Sequence, residues 1–166
     1  QGLVKASHIV VRTAVETGHY GQFIPFFGVE RKGSPVFGFL RLAEEPIRRK
    51  TQVYTPDVLI ILDDTLIHLP ATYAGLREGG TVIINSAHAP EELAIPEQTG
   101  RVAVVDATAI ALAEIGRNIP NTAMLGAFAR VTGLVDAQKL FDTLAAEFGE
   151  PNREAASRAY DAVRIY

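Results

Sequence analysis

Strands alternating with helices through the middle of the chain, followed by a remainder that is helical almost throughout, predict an α/β protein. The expected architecture is a three-layer α/β/α sandwich with a largely parallel central sheet and a helical C-terminal region. Two observations carry this. Short aliphatic runs end in acidic or amide residues, as in VLIILDD and TVIIN, which is how strands of a buried parallel sheet read. Helix signals then follow the strands, with Asp, Gly and Pro at the positions where helices start and stop. At 166 residues and 48% hydrophobic, residues 1–166 fit a single domain able to bury its own core.

In chain order, Leu3, Val4, Ala6, Ile9, Val10 and Ala14 recur at helical spacing up to Glu16, and Gly18 is placed to end that helix. A glycine opening a helix with no strand before it implies a strand and glycine-rich turn upstream of Gln1. Tyr20 to Phe26 is aromatic-rich and reads as a strand. Phe27 to Val36 (FGVERKGSPV) is a charged loop between glycines, closed by Pro35, and Val36 to Leu42 is the next strand, which would anchor the loop at the mouth of a sheet. A turn around Glu44 to Pro46 leads to Val58 to Leu62, expected to be a strand buried on both faces. Thr65 to Leu76 reads as helical with a break at Pro70. Gly79-Gly80 turns the chain into the strand Thr81 to Asn85, Pro90 to Gly100 is a loop, and Val102 to Val105 is a strand. Ala107 to Ile115 is a helix ended by Gly116. Thr122 to Thr132, Ala137 to Phe148 with Asp136 as cap, and a last helix opened by Pro151 and reaching Val163 complete the series.

Sixteen basic and nineteen acidic residues leave a net charge of −3, which gives no electrostatic footprint for nucleic acid or an anionic membrane. No cysteine occurs in these 166 residues, so they supply no disulfide, cysteine nucleophile or thiolate ligand. The apolar runs are far shorter than the ~20 residues needed to span a bilayer, and the first residues lack the pattern of a secretory leader. A soluble, cytoplasmic protein is the expectation.

Within the charged loop, Arg31 offers a planar fork and Lys32 a point charge to a phosphate or carboxylate, while Gly28 and Gly33 allow close backbone approach. The competing reading is a solvated turn whose charges pair among themselves. Gly2 at a helix start can offer free amides to an anion, or serve helix geometry alone. Asp63, Asp64 and Asp106 fall at the carboxyl ends of expected strands, where ligands of open α/β sheets bind, but capping is the better reading for Asp106. The histidines His8, His19, His68 and His88 are dispersed with no i, i+4 pair, and Ser86 and His88 are too close in sequence for a nucleophile and base. NTAMLGAF, residues 121–128, reads as a helix start in which Asn121 or Thr122 caps and Gly126 and Ala127 permit close helix packing.

FGVERKGSPV, PDVLIILDD, VVDAT and NTAMLGAF with the following TGLV, in that order, resemble the gamma subunit of the 2-oxoacid:ferredoxin oxidoreductases of the pyruvate/2-oxoisovalerate type. The resemblance covers essentially the whole chain. It implies a complex that oxidatively decarboxylates a 2-oxoacid to an acyl-coenzyme A. Thiamine diphosphate, Mg2+ and [4Fe–4S] clusters would be held by alpha, beta and delta-type subunits, with ferredoxin or another acceptor served by the complex. This chain would hold none of those cofactors, catalyse nothing alone, and contribute to coenzyme A binding and assembly. Gln1-Gly2 resemble the end of the family's G-x-G-G-Q-G loop, and Glu30 to Ser34 its E-R-R-G-A segment, with Lys32 and Ser34 as departures. Gly2, Arg31, Lys32, Gly33 and Ser34 are thus the candidate contacts to coenzyme A or to another subunit. A purely structural subunit without ligand contacts, or a free-standing nucleotide-binding domain, are the alternatives.

Overall fold

The computed structural model describes residues 2–26 and 37–166. Helix α1 (Gly2–Glu16) buries Ala6, Ile9, Val10 and Ala14, the stripe its periodicity predicts. It is followed by a hairpin, β1 (Tyr20–Phe26) and β2 (Phe37–Ala43), paired antiparallel from Tyr20↔Ala43 to Phe26↔Phe37. This hairpin is a sheet of its own. The two strands were legible in the sequence, and the loop between them, residues 27–36, lies outside the described residues. An isolated ribbon is marginal in water, and here α1 supports it: Leu40 and Leu42 join the main core, Gly21 lies against Val11, and the Phe23 ring meets His8 edge-on at 6.0 Å.

The main sheet has the order β3 (Val58–Ile61), β4 (Thr81–Asn85), β5 (Arg101–Val105), β6 (Arg164–Ile165). The first three strands run parallel and β6 closes the sheet antiparallel to β5. Period-2 alternation assigns the faces. Ile83, Ala103 and Val105 point into a core shared with the helices, whereas Val82 and Ile84 meet Ile61, Ile67, Tyr73 and Leu76 on the other side. β4 is buried on both faces, with Val82, Ile83 and Ile84 all fully enclosed, each contributing about 1.5–3 kcal/mol by burial, and β5 is enclosed likewise from Ala103 to Val105. The sequence had expected the same of Val58 to Leu62. That strand lies instead at the sheet edge, with Ile60 38% exposed, because an aliphatic run alone does not reveal whether a neighbour flanks both sides.

The α/β sandwich forms, and its two covering layers differ in kind. One is helical: α1, α2 (Ala107–Glu114), α3 (Asn121–Thr132), α4 (Ala137–Phe148) and α5 (Glu150–Ala162). The other is made of 3-10 turns, Asp64–His68 and Pro70–Tyr73, with Leu93 and Ile95 of the following loop. Thr65 to Leu76 was expected to be helical. Pro70, which cannot donate a backbone hydrogen bond, divides it into two short turns too brief for α geometry. Tyr73 is buried, donates its hydroxyl to the Ile67 carbonyl at 2.9 Å, and has its phenol pKa raised by that burial.

Helix α3 is the hub of the helical layer, with nine of its 12 residues buried. Its small-residue motif packs as the sequence suggested. A Cβ built on Gly126 would come within 1.9 Å of the Ala156 carbonyl oxygen, so glycine is what lets α3 and α5 touch backbone to backbone. Ala155, Ala156 and Ala159 supply the matching small face of α5. The expected caps Asn121 and Thr122 lie inside the helix instead: Pro120 is the N-cap, and Thr122 Oγ1 donates to Asn152 Oδ1 at 3.1 Å. At the other end Gly133 takes a left-handed conformation (φ 63°), and Arg101 donates to the Val131 carbonyl at 2.9 Å, setting a cation at the helix C-terminus. Asp136 caps α4 as expected, accepting from the Lys139 amide at 2.9 Å.

One side chain ties the carboxyl ends of the parallel strands together. Asn85, the last residue of β4, donates to the Leu62 carbonyl at 3.0 Å and to Thr108 Oγ1 at 2.9 Å, and accepts from the Thr108 amide at 3.2 Å. Asn85→Ala should cost about 2–3 kcal/mol, since it leaves the part-buried partners of all three bonds unpaired. That corresponds to a fall in Tm of about 4–12 °C by circular dichroism; an unchanged Tm would contradict the clamp. Gly126→Ala should cost about 2 kcal/mol by forcing α3 and α5 apart. The same melting measurement checks it, and full stability would mean the helices can separate freely.

Candidate functional site

The carboxyl edge of the parallel strands is where an open α/β sheet offers a crevice. Here β3 continues into Leu62-Asp63-Asp64, β4 into Ser86-Ala87-His88, and β5 into Asp106. The acidic residues are largely committed to backbone. Asp63 Oδ1 accepts from the Thr65 amide at 3.0 Å and its hydroxyl at 2.8 Å, and Asp106 Oδ1 accepts from the Ala109 amide at 3.0 Å. Capping was the better reading of Asp106, and it holds. Ser86 is buried, and its hydroxyl accepts from the His88 amide at 3.1 Å, which makes it a turn residue.

A cleft of about 550 Å³ opens beside these loops, lined by Asp64, Thr65, Ile67, His68, His88, Glu92 and Leu93. Two histidines that looked dispersed in the sequence meet there. His88 Nδ1 lies 3.2 Å from Glu92 Oε2, which also accepts from the Ala89 amide at 3.2 Å, so the carboxylate fixes the imidazole. The signal that could have paired His68 with His88 is topological. Both follow adjacent parallel strands in register Ile61↔Ile84, so the loops after those strands share one edge. With two carboxylates, two imidazoles and an apolar Ile67–Leu93 floor, the cleft suits a ligand that donates hydrogen bonds better than it suits phosphates. Among the described residues no group of three His, Cys, Asp or Glu side chains is placed to hold a metal.

Of the residues singled out from sequence, Gly2 opens α1, the helix that supports the hairpin. Arg31, Lys32, Gly33 and Ser34 lie outside the described residues, as does the whole 27–36 segment. What is described is its anchorage. Phe26 and Phe37 face each other across the hairpin, stacked with ring centroids 4.6 Å apart, and Phe39 meets Phe37 edge-on at 5.7 Å. Phe26 and Phe37 are 41% and 45% exposed, an apolar pair on the two strand ends that flank the segment.

Residues 1–163 match the family described as pyruvate ferredoxin/flavodoxin oxidoreductase. Among curated relatives, the pyruvate synthase subunit PorC of Methanothermobacter marburgensis is 44% identical over 99% of this chain and 92% of its own length. The common gamma subunit of the pyruvate/ketoisovalerate oxidoreductases of Pyrococcus abyssi is 44% identical over 100% of this chain and 93% of its own. Among solved structures, pyruvate oxidoreductase subunit PORC of Thermotoga maritima superposes with a TM-score of 0.85 at 37% identity, covering 99% of this chain and 91% of that one. The chain thus belongs to the pyruvate ferredoxin/flavodoxin oxidoreductase family, as a gamma subunit of the 2-oxoacid:ferredoxin oxidoreductases.

Proposed function

We propose that this gamma subunit assists coenzyme A binding and complex assembly in an enzyme that oxidatively decarboxylates a 2-oxoacid on thiamine diphosphate and forms an acyl-coenzyme A. Thiamine diphosphate, Mg2+ and [4Fe–4S] clusters are held by its alpha, beta and delta-type partners, and this chain has no catalytic residue of its own. What supports the reading is the sequence of 27–36, which sets two adjacent cations, Arg31 and Lys32, between Gly28 and Gly33. The segment joins the two strands of a hairpin that is a sheet of its own. Coenzyme A carries a pyrophosphate and a 3′-phosphate, which Arg31 can grip as a fork and Lys32 as a point charge, with backbone amides of Gly33, Ser34 and Gly2 as helpers. The absence of cysteine from these residues agrees with clusters borne elsewhere.

A second reading has its own support. The exposed Phe26–Phe37 stack next to that segment favours contact with protein, in which case Arg31 and Lys32 meet a neighbouring subunit and not the coenzyme. One experiment separates the two. In the full complex, Arg31→Ala with Lys32→Ala should raise the KM for coenzyme A about tenfold or more, since each charge-assisted contact is worth about 1.5–3 kcal/mol. A normal KM with impaired assembly would select the second reading, and normal values for both would remove both. The isolated chain, assayed with 2-oxoacid, coenzyme A and an artificial electron acceptor, should show no turnover; measurable turnover without partners would overturn the subunit role.

A further inference from the structure

The segment after β2 carries three consecutive cations, Arg48, Arg49 and Lys50, and all three are exposed. None of them takes part in an ion pair among the described residues, although Glu44 and Glu45 are close by in sequence and also exposed. In a chain of net charge −3 this is a local concentration of positive charge.

The backbone beneath these cations is fastened. Gln22 Nε2 donates to the Arg49 carbonyl at 2.6 Å, and the Arg41 guanidinium donates to the Thr51 carbonyl at 2.5 Å and the Gln52 carbonyl at 3.0 Å. Arg41 also donates to Gln22 Oε1 at 3.0 Å, and the two residues face each other in the hairpin register. An arginine and a glutamine at the centre of the hairpin are thus spent on holding the main chain of residues 49–52. A solvated charge run needs no such fastening. Holding the chain in advance lowers the ordering cost of binding, which otherwise offsets the gain from exposed charges.

Shape narrows the partner. Arg48, Arg49 and Lys50 line neither the cleft beside Asp64 and His88 nor the one lined by Asp57, Arg77 and Arg101. Small-molecule sites are concave, and three adjacent exposed cations on a fastened stretch of backbone suit the face of a macromolecule better. Nucleic acid would call for a basic stripe on a basic domain, which this chain lacks. We infer that Arg48, Arg49 and Lys50 form a docking surface for an acidic face on a partner subunit of the oxidoreductase complex, pre-organised by Arg41 and Gln22. The inference rests on membership of a multi-subunit family and is independent of where coenzyme A binds.

The test compares wild type with Arg48→Glu/Arg49→Glu/Lys50→Glu, measuring affinity for the remaining subunits by interferometry or sedimentation. At about 50 mM salt the variant should bind at least tenfold more weakly, and the gap should close near 500 mM as the charges are screened. The neutral Arg48→Gln/Arg49→Gln/Lys50→Gln variant should fall between the two, and it replaces the reversal should that not fold, as judged by thermal melting. Unchanged low-salt affinity in the folded variants would overturn the inference. So would a raised KM for coenzyme A with assembly intact, which would make the patch a phosphate site. A loss of affinity with the KM for coenzyme A unaltered would support it even if Arg31 and Lys32 prove unrelated to the coenzyme.

Discussion

The backbone contact between α3 and α5 governs the rest of the structure. Gly126 lets the two helices approach to a separation at which a single methyl would strike the Ala156 carbonyl. That closeness is why α3 can be buried on nearly all sides, and why the remaining helices pack around it over one face of the sheet. A helix surrounded in this way has little solvent face to supply stability through surface charge, so most of its stability comes from packing. Its N-terminus has no side-chain cap, and its C-terminus depends on Arg101 reaching over from β5. The sheet and the helical layer are joined in that bond as well as through apolar contact.

Much of this was legible from residue order. Short aliphatic runs gave β4 and β5, Asp106 and Asp136 marked the starts of α2 and α4, and NTAMLGAF pointed to close packing because a glycine inside a helix costs stability unless close approach offsets it. The misreadings have physical causes. Val58 to Leu62 has the composition of a central strand, yet strand order is a tertiary property, and its place at the edge is set by what pairs with it. Thr65 to Leu76 breaks at Pro70 as expected, but the pieces on either side are too short for α geometry and form two 3-10 turns over Val82 and Ile84.

The candidate sites divide along the same line. Residues joined by local chemistry, such as the caps Asp106 and Asp136, were readable. His68 and His88 were not, because they are brought together by parallel strand pairing and not by helical spacing. The cations at 48–50 drew no notice in sequence, since a charge run without periodicity looks solvated. Only the hydrogen bonds from Arg41 and Gln22 to the carbonyls beneath them distinguish that run from an ordinary loop.

Asn85 has a mechanical consequence. By joining Leu62 and Thr108 through one amide, it couples the exits of three strands, so the turns on that edge behave as a single plate. A load applied at Asp63 is transmitted to the first turn of α2 without stretching any loop between them. The hairpin, a separate ribbon seated on α1, shares no strand pairing with that edge, so a change in one need not break the backbone ladder of the other.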